Sequence, residues 1–159
     1  MRTPTRALAA AALALASLAP ALAAEPINTL EKEGWFGYEP SGTAIRGYDT
    51  VAYFTEGGPV EGSAEFTAEW MGATWRFASQ EHLDLFEAEP EKYAPQYGGY
   101  CAYGVVQDDL VKIEPENWTI VDGKLYLNYD DEVQATWEAD IPGFIAEADA
   151  KFGALLAKE

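Results

Sequence analysis

The chain has 159 residues, 27 of them Asp or Glu and 10 Lys or Arg, giving a formal charge of −17, and 48% of it is hydrophobic. That length suits one compact domain, and the apolar share is too high for a disordered chain. The charge argues against nucleic acid or anionic lipid as the main partner, because phosphate binding needs clustered Lys and Arg; one Cys and one His can make neither an intramolecular disulfide nor an all-protein Cys/His zinc site.

The first segment predicts export. Arg2 and Arg6 precede an Ala/Leu run from Ala7 to Ala19, Pro20 breaks it, and Ala21-Leu22-Ala23 has the small-x-small pattern of a cleavage site. Residues 1–24 therefore read as a signal peptide, with the mature chain starting at Ala24 or Glu25. The run is shorter than the ~20 residues a spanning helix needs. The only Cys is far from this site, which excludes a lipid anchor through an N-terminal Cys. The expectation is a soluble periplasmic protein with no stable membrane anchor after cleavage.

Residues 25–46 contain Gly34, Gly37, Pro40 and Gly42 without a sustained period. They read as an N-terminal arm that packs, if at all, through Trp35, Phe36 and Tyr38. From Glu65 to Ala78 the pattern becomes strict. A two-residue loop at Met71-Gly72 would pair Trp70 with Ala73, Ala68 with Trp75 and Phe66 with Phe77, all on one face. Glu65, Thr67, Glu69, Thr74 and Arg76 take the other, as a half-buried hairpin requires. Met71 is awkward in a turn that wants positive φ, so the loop is expected to carry a bulge.

Ser79 reads as the N-cap of a helix over 80–88, ended near Pro90, with Leu83, Leu85 and Phe86 on its apolar side. Asp122-Gly123, flanked by Trp118–Val121 and Lys124–Leu127, predicts a second hairpin with Trp118, Ile120, Leu125 and Leu127 on one face. Two helices close the chain. The first opens on the acids Asp130 to Glu132, which favour a helix N-terminus, and places Val133 and Trp137 four apart. The second starts at Pro142 and carries Phe144, Ile145, Ala148, Phe152, Leu155 and Leu156 at helical spacing. The fold class is α+β: a small antiparallel sheet built from two hairpins, with helices packed on one face.

The chain has no glycine-rich phosphate loop, HExxH, CxxC or GxSxG pattern. What stands out is Tyr93, Tyr97, Tyr100 and Tyr103 around Gly98, Gly99 and Cys101. The glycine pair allows a sharp turn or a close backbone approach. A helix starting near Gly99 would put Cys101 in its first turn, where N–H groups favour the thiolate, the nucleophilic and metal-binding form. The net charge works against a further anion, with Lys92 and Arg76 the nearest cations in sequence. The plainer alternatives are a buried packing thiol and a tyrosine packing stripe. His82, the single imidazole, falls on the apolar side of its helix. It reads either as a core-edge residue with a satisfied hydrogen bond or as a metal ligand with Cys101. That pair needs a third donor, such as Met71, a tyrosine, a carboxylate or a backbone carbonyl, and a thiolate with imidazole suits copper best.

Gly47–Phe54 (GYDTVAYF), Trp75–Ser79 (WRFAS), Phe86, Pro90–Ala102 (PEKYAPQYGGYCA) and Trp118–Asn128 (WTIVDGKLYLN) resemble the exported YHS domain proteins, over about Gly47 to Phe152. The resemblance implies a domain over 47–157 that includes the C-terminal helices. YHS domains also occur in copper-transporting ATPases and some hydroxylase subunits, and the resemblance implies a metal-binding role. Metal-binding relatives carry Phe-Cys-Ser-x-x-Cys; here Phe77 to His82 occupies that stretch, with Ala78 at the first ligand position and His82 at the second. Thr50 stands where Pro is expected. In the exported branch the Cys101 position is the notable one and implies redox or soft-metal chemistry. Three functions follow as expectations: a periplasmic module binding a soft metal, copper favoured, through Cys101 with His82; a single-cysteine redox protein; or a non-catalytic interaction domain for a periplasmic protein partner.

Overall fold

The hairpin around Met71 and Gly72 organises the first half of the molecule. In the computed structural model, which describes residues 24–34 and 37–158, β3 (Ser63–Trp70) runs antiparallel to β4 (Ala73–Phe77). The segment before residue 24, and with it nearly all of the expected signal peptide, lies outside the described residues, as do Trp35 and Phe36. Trp70 faces Ala73 and Ala68 faces Trp75, as the alternation requires. The register then slips, and Phe77 faces Ser63 in place of Phe66. Residues 64–66 lie between paired positions, so the irregularity sits in β3 and not in the loop. Met71 and Gly72 both take positive φ, 49° and 81°, and the turn keeps two residues with Met71 half exposed.

On the apolar face of this hairpin lies α2 (Gln80–Ala88), capped as expected by Ser79, whose Oγ accepts from the His82 amide at 3.2 Å. Phe86 stacks its ring 5.1 Å from Trp75 and 5.0 Å from Phe77, and Trp70 meets it edge-on at 5.8 Å. Such aromatic pairs add about 0.5–1.5 kcal/mol each beyond simple burial. The short helices α1 (Ala52–Thr55) and α3 (Pro90–Tyr93) flank this unit.

Asp122 and Gly123, at φ 50° and 74°, turn β5 (Trp118–Val121) back into β6 (Lys124–Leu127). The register brings Trp118 opposite Leu127 and Ile120 opposite Leu125. The α+β class and both expected hairpins are present, but the hairpins do not merge into one sheet. Among the described residues three separate two-stranded sheets form, the third being β1 (Leu30–Gly34) with β2 (Gly37–Pro40). That third hairpin falls in the segment read as an arm, where no alternation announces it. The arm packs through Ile27, Asn28, Ala44 and Ile45, all buried, whereas Tyr38 is exposed.

The C-terminal helices α5 (Asp131–Glu138) and α6 (Ile141–Leu156) cover α4 (Ala102–Val106) and build a second apolar cluster around Val105, Tyr126, Trp137, Ala148 and Leu155. Asp130 caps α5 through the Val133 amide, and Asp140 caps α6 through the Gly143 amide. Among the described residues no helix is long and apolar enough to cross a membrane.

Candidate functional site

Cys101 sits where the chain leaves a 3-10 turn (Gln96–Gly99) and enters α4. It is 1% exposed. Its Sγ is the N-cap of α4, accepting from the Gly104 amide at 3.2 Å, and it lies 3.6 Å from Asn128 Oδ1, to which the thiol donates. The same Asn128 oxygen accepts from the Tyr103 amide at 3.1 Å, and Asn128 Nδ2 donates to Gln134 at 2.8 Å. Cys101 also forms an isolated parallel bridge to Leu127. Burial pushes the thiol upward and the Asp130 charge adds to it, together outweighing the N–H groups of Gly104, Tyr129 and Tyr103. The expected thiolate-favouring helix start is therefore corrected. The helix begins at Ala102, not near Gly99, and runs only five residues, too short a dipole to offset the lost hydration.

Gly98 and Gly99 serve a close backbone approach. Gly98 has φ +61°, and a Cβ there would lie 2.0 Å from the Pro26 carbonyl oxygen; at Gly99 it would lie 2.6 Å from Ile45 Cγ2. The space is used by the N-terminal arm. The Asn28 amide donates to the Gly98 carbonyl and Asn28 Nδ2 to the Gly99 carbonyl, both at 2.9 Å. The tyrosines diverge from this point. Tyr100 donates to the Glu25 carbonyl at 3.0 Å. Tyr97 donates to Asp149 on α6 at 2.9 Å, Tyr103 packs edge-on against Phe144, and Tyr93 packs against Phe54. The motif is thus a junction that fastens the arm, α1 and α6 to the segment before α4.

His82 belongs to a different network. Its Nδ1 meets Asp49 Oδ2 at 2.6 Å, and its Nε2 lies 3.2 Å from Thr55 Oγ1 and 3.7 Å from Glu56 Oε1. Asp49 is fully buried. Its Oδ1 accepts from the amides of Val51 and Ala52 at 2.9 and 3.2 Å, and its Oδ2 also accepts from the Ala78 amide at 2.8 Å. One carboxylate therefore starts α1, pins the end of β4 and orients the imidazole of α2. Asp49 and Asn128 are the polar residues that the sequence reading missed. Asp49 carries a usable signal, an Asx residue just ahead of an apolar helical stretch; Asn128, at the end of a strand, carries none.

Among the described residues Cys101 and His82 share no hydrogen-bond partner. Among the described residues no group of three or more His, Cys, Asp or Glu is arranged to hold a metal ion. Lys92 pairs with Glu89, and Arg76 lies beside Gly47, so neither cation is seen to attend the thiol. The donors at Cys101 do not fit a soft metal: the sulfur is sealed, engaged on both sides, and bordered by a side-chain amide oxygen and peptide groups.

An α+β domain with a buried carboxylate–imidazole latch and a junction of glycines and tyrosines is the class that these features define. Residues 51–97 match the YHS domain family. The match takes in β3, β4, α2 with His82, and Tyr97; it ends before Gly98, Cys101 and the β5–β6 hairpin. No curated protein and no solved structure matches the chain.

Proposed function

We propose that this chain is an exported YHS-type binding module, carried to the periplasm by residues 1–24, in which Cys101 is a structural cap and binding is the work of the folded surface. The observation that supports this reading is the state of the sulfur: buried, capping α4 and bonded to Asn128. A thiol of that kind is a poor nucleophile, because the reactive thiolate is disfavoured and shielded. Copper bound through Cys101 with His82, and a single-cysteine redox cycle, are the rival uses of the same thiol.

Two measurements decide among them. Alkylation of the native protein should run at least about 100-fold slower than in denaturant, since reaction then requires local opening. Anaerobic titration with Cu(I) should give the same weak binding for wild type and Cys101→Ser. Rapid native alkylation with an apparent pKa below the usual thiol range would restore the redox reading. Tight Cu(I) binding that Cys101→Ser abolishes would restore the copper reading. Export is checked by cell fractionation and N-terminal sequencing, with Ala24 or Glu25 as the expected first residue.

A further inference from the structure

The two edges of the β3–β4 hairpin are treated differently. Thr43 forms a parallel bridge to Thr74, whose amide donates to the Gly42 carbonyl at 2.9 Å, so the outer edge of β4 is covered. Among the described residues β3 pairs with β4 alone. Because the Thr74 amide points away from β3, its opposite residue Glu69 points its own amide and carbonyl away from β4. Thr67, two residues back, does the same. The ladder groups of Thr67 and Glu69 thus form an open edge.

A groove runs along that edge. A cavity of about 300 Å³ between β3 and α2 has Ala68, Trp70, Phe86 and Pro90 as its apolar lining. It is also lined by Glu69, so three consecutive strand residues border it. Successive strand side chains face opposite sides, and such lining therefore places the groove along the edge and not on one face alone. A second cavity of about 580 Å³, sharing Trp70 and Pro90, continues it past Ala88. The surrounding acids are Glu69, Glu87, Glu89 and Glu91, all exposed, and the one cation lining the two cavities, Lys92, is paired with Glu89 at 2.7 Å.

We propose that this edge binds an extended peptide segment of alternating apolar and basic residues as an added strand. The proposal rests on the reading of the chain as a binding module and names its site. Main-chain bonds to Thr67 and Glu69 supply the pairing, as in strand addition generally. Apolar side chains enter the groove over Trp70 and Phe86. The intervening Lys or Arg side chains fall on the opposite face, where Glu69 stands, and the acids of α2 and α3 close the other side. An acidic or uncharged segment of the same shape lacks this complementarity.

The test uses the full chain and a capped eight-residue Lys-Val repeat as probe, followed by fluorescence anisotropy and by amide NMR shifts. Saturable binding is expected, with the largest shifts at residues 67–70. The same peptide N-methylated at alternate residues keeps its charge but cannot pair, and should bind at least about tenfold more weakly. A Glu-Val repeat should not bind. The double variant Glu69→Lys/Glu87→Lys, both exposed positions, should lose at least about tenfold, and Thr67→Pro, which removes an outward-facing amide without touching the β4 ladder, should lose a similar factor. Equal binding of the N-methylated peptide, or shifts that map elsewhere, would overturn the proposal. So would protection of the Thr67 and Glu69 amides in the absence of peptide, whether from a second copy, seen as a concentration-dependent dimer, or from another segment of the chain. Failure here with a shielded Cys101 leaves the binding-module reading intact; a reactive or copper-binding Cys101 with the probe still seated on β3 does the reverse.

Discussion

Asp49 is the residue whose loss should be felt most widely. It accepts four hydrogen bonds inside the protein, three from amides of two separate segments and one from His82. Asp49→Ala leaves the amides of Val51, Ala52 and Ala78 without their acceptor. A buried donor left unmade costs roughly 1–3 kcal/mol. Taking the low end for three amides, and adding the loss of the His82 contact, gives about 4 kcal/mol. Domains of this size have about 5–15 kcal/mol in total, so the variant should fold but unfold at much lower urea. Asp49→Asn keeps the shape and one acceptor oxygen. Its NH2 group must face either the Ala78 amide or the amides of Val51 and Ala52, a donor against a donor, and about 2 kcal/mol is expected. Glu56→Gln is the control, an exposed partner 3.7 Å from the ring, and should move stability by less than about 0.5 kcal/mol. Urea titration followed by far-UV circular dichroism and tryptophan fluorescence gives all three values, provided the two probes coincide. If Asp49→Ala and Asp49→Asn both fall within about 0.5 kcal/mol of wild type, the carboxylate is not the latch described here.

Two further outcomes concern the junction and the buried tyrosines. Gly98→Ala would put a Cβ on the Pro26 carbonyl at a φ that costs an L-residue about 1 kcal/mol, and would part the two Asn28 bonds at about 1 kcal/mol each. A loss of about 3 kcal/mol is expected, together with cleavage of the 24–46 segment in limited proteolysis; an arm as protected as in wild type would contradict it. The second is alkaline behaviour. Burial pushes the hydroxyls of Tyr53, Tyr97, Tyr100 and Tyr126 upward, helped by the Asp149 contact at Tyr97. The folded state therefore holds protons that the unfolded chain releases above about pH 10. Stability should fall as pH rises through that value, with a steep part of the phenolate absorbance coinciding with loss of the circular dichroism signal. A gradual titration completed in the folded protein would show these hydroxyls to be hydrated.

Local signals carried much of the architecture. The alternation on either side of Met71 and the Asp-Gly turn at Asp122 specified two hairpins, because a strand with one buried face shows its period in the residues themselves. Ser79, the acids after Tyr129 and Pro142 marked helix starts for an equally local reason: the cap is chosen by the orphaned amides beside it. The bulge at residues 64–66 and the β1–β2 hairpin left no comparable trace.

What tertiary structure alone decided is the fate of the polar groups. A thiol next to a glycine pair reads alike whether it is an active nucleophile or a cap, since its character depends on hydration and on Asn128, 27 residues away. His82 was legible as a core-edge imidazole, but its partner Asp49 lies 33 residues earlier in the chain. The glycines were legible as a site of close approach, while the arm that approaches comes from residues 26–28. Pattern reports which side of an element is buried; it does not report what that side meets, and charge, reactivity and recognition are set by that meeting.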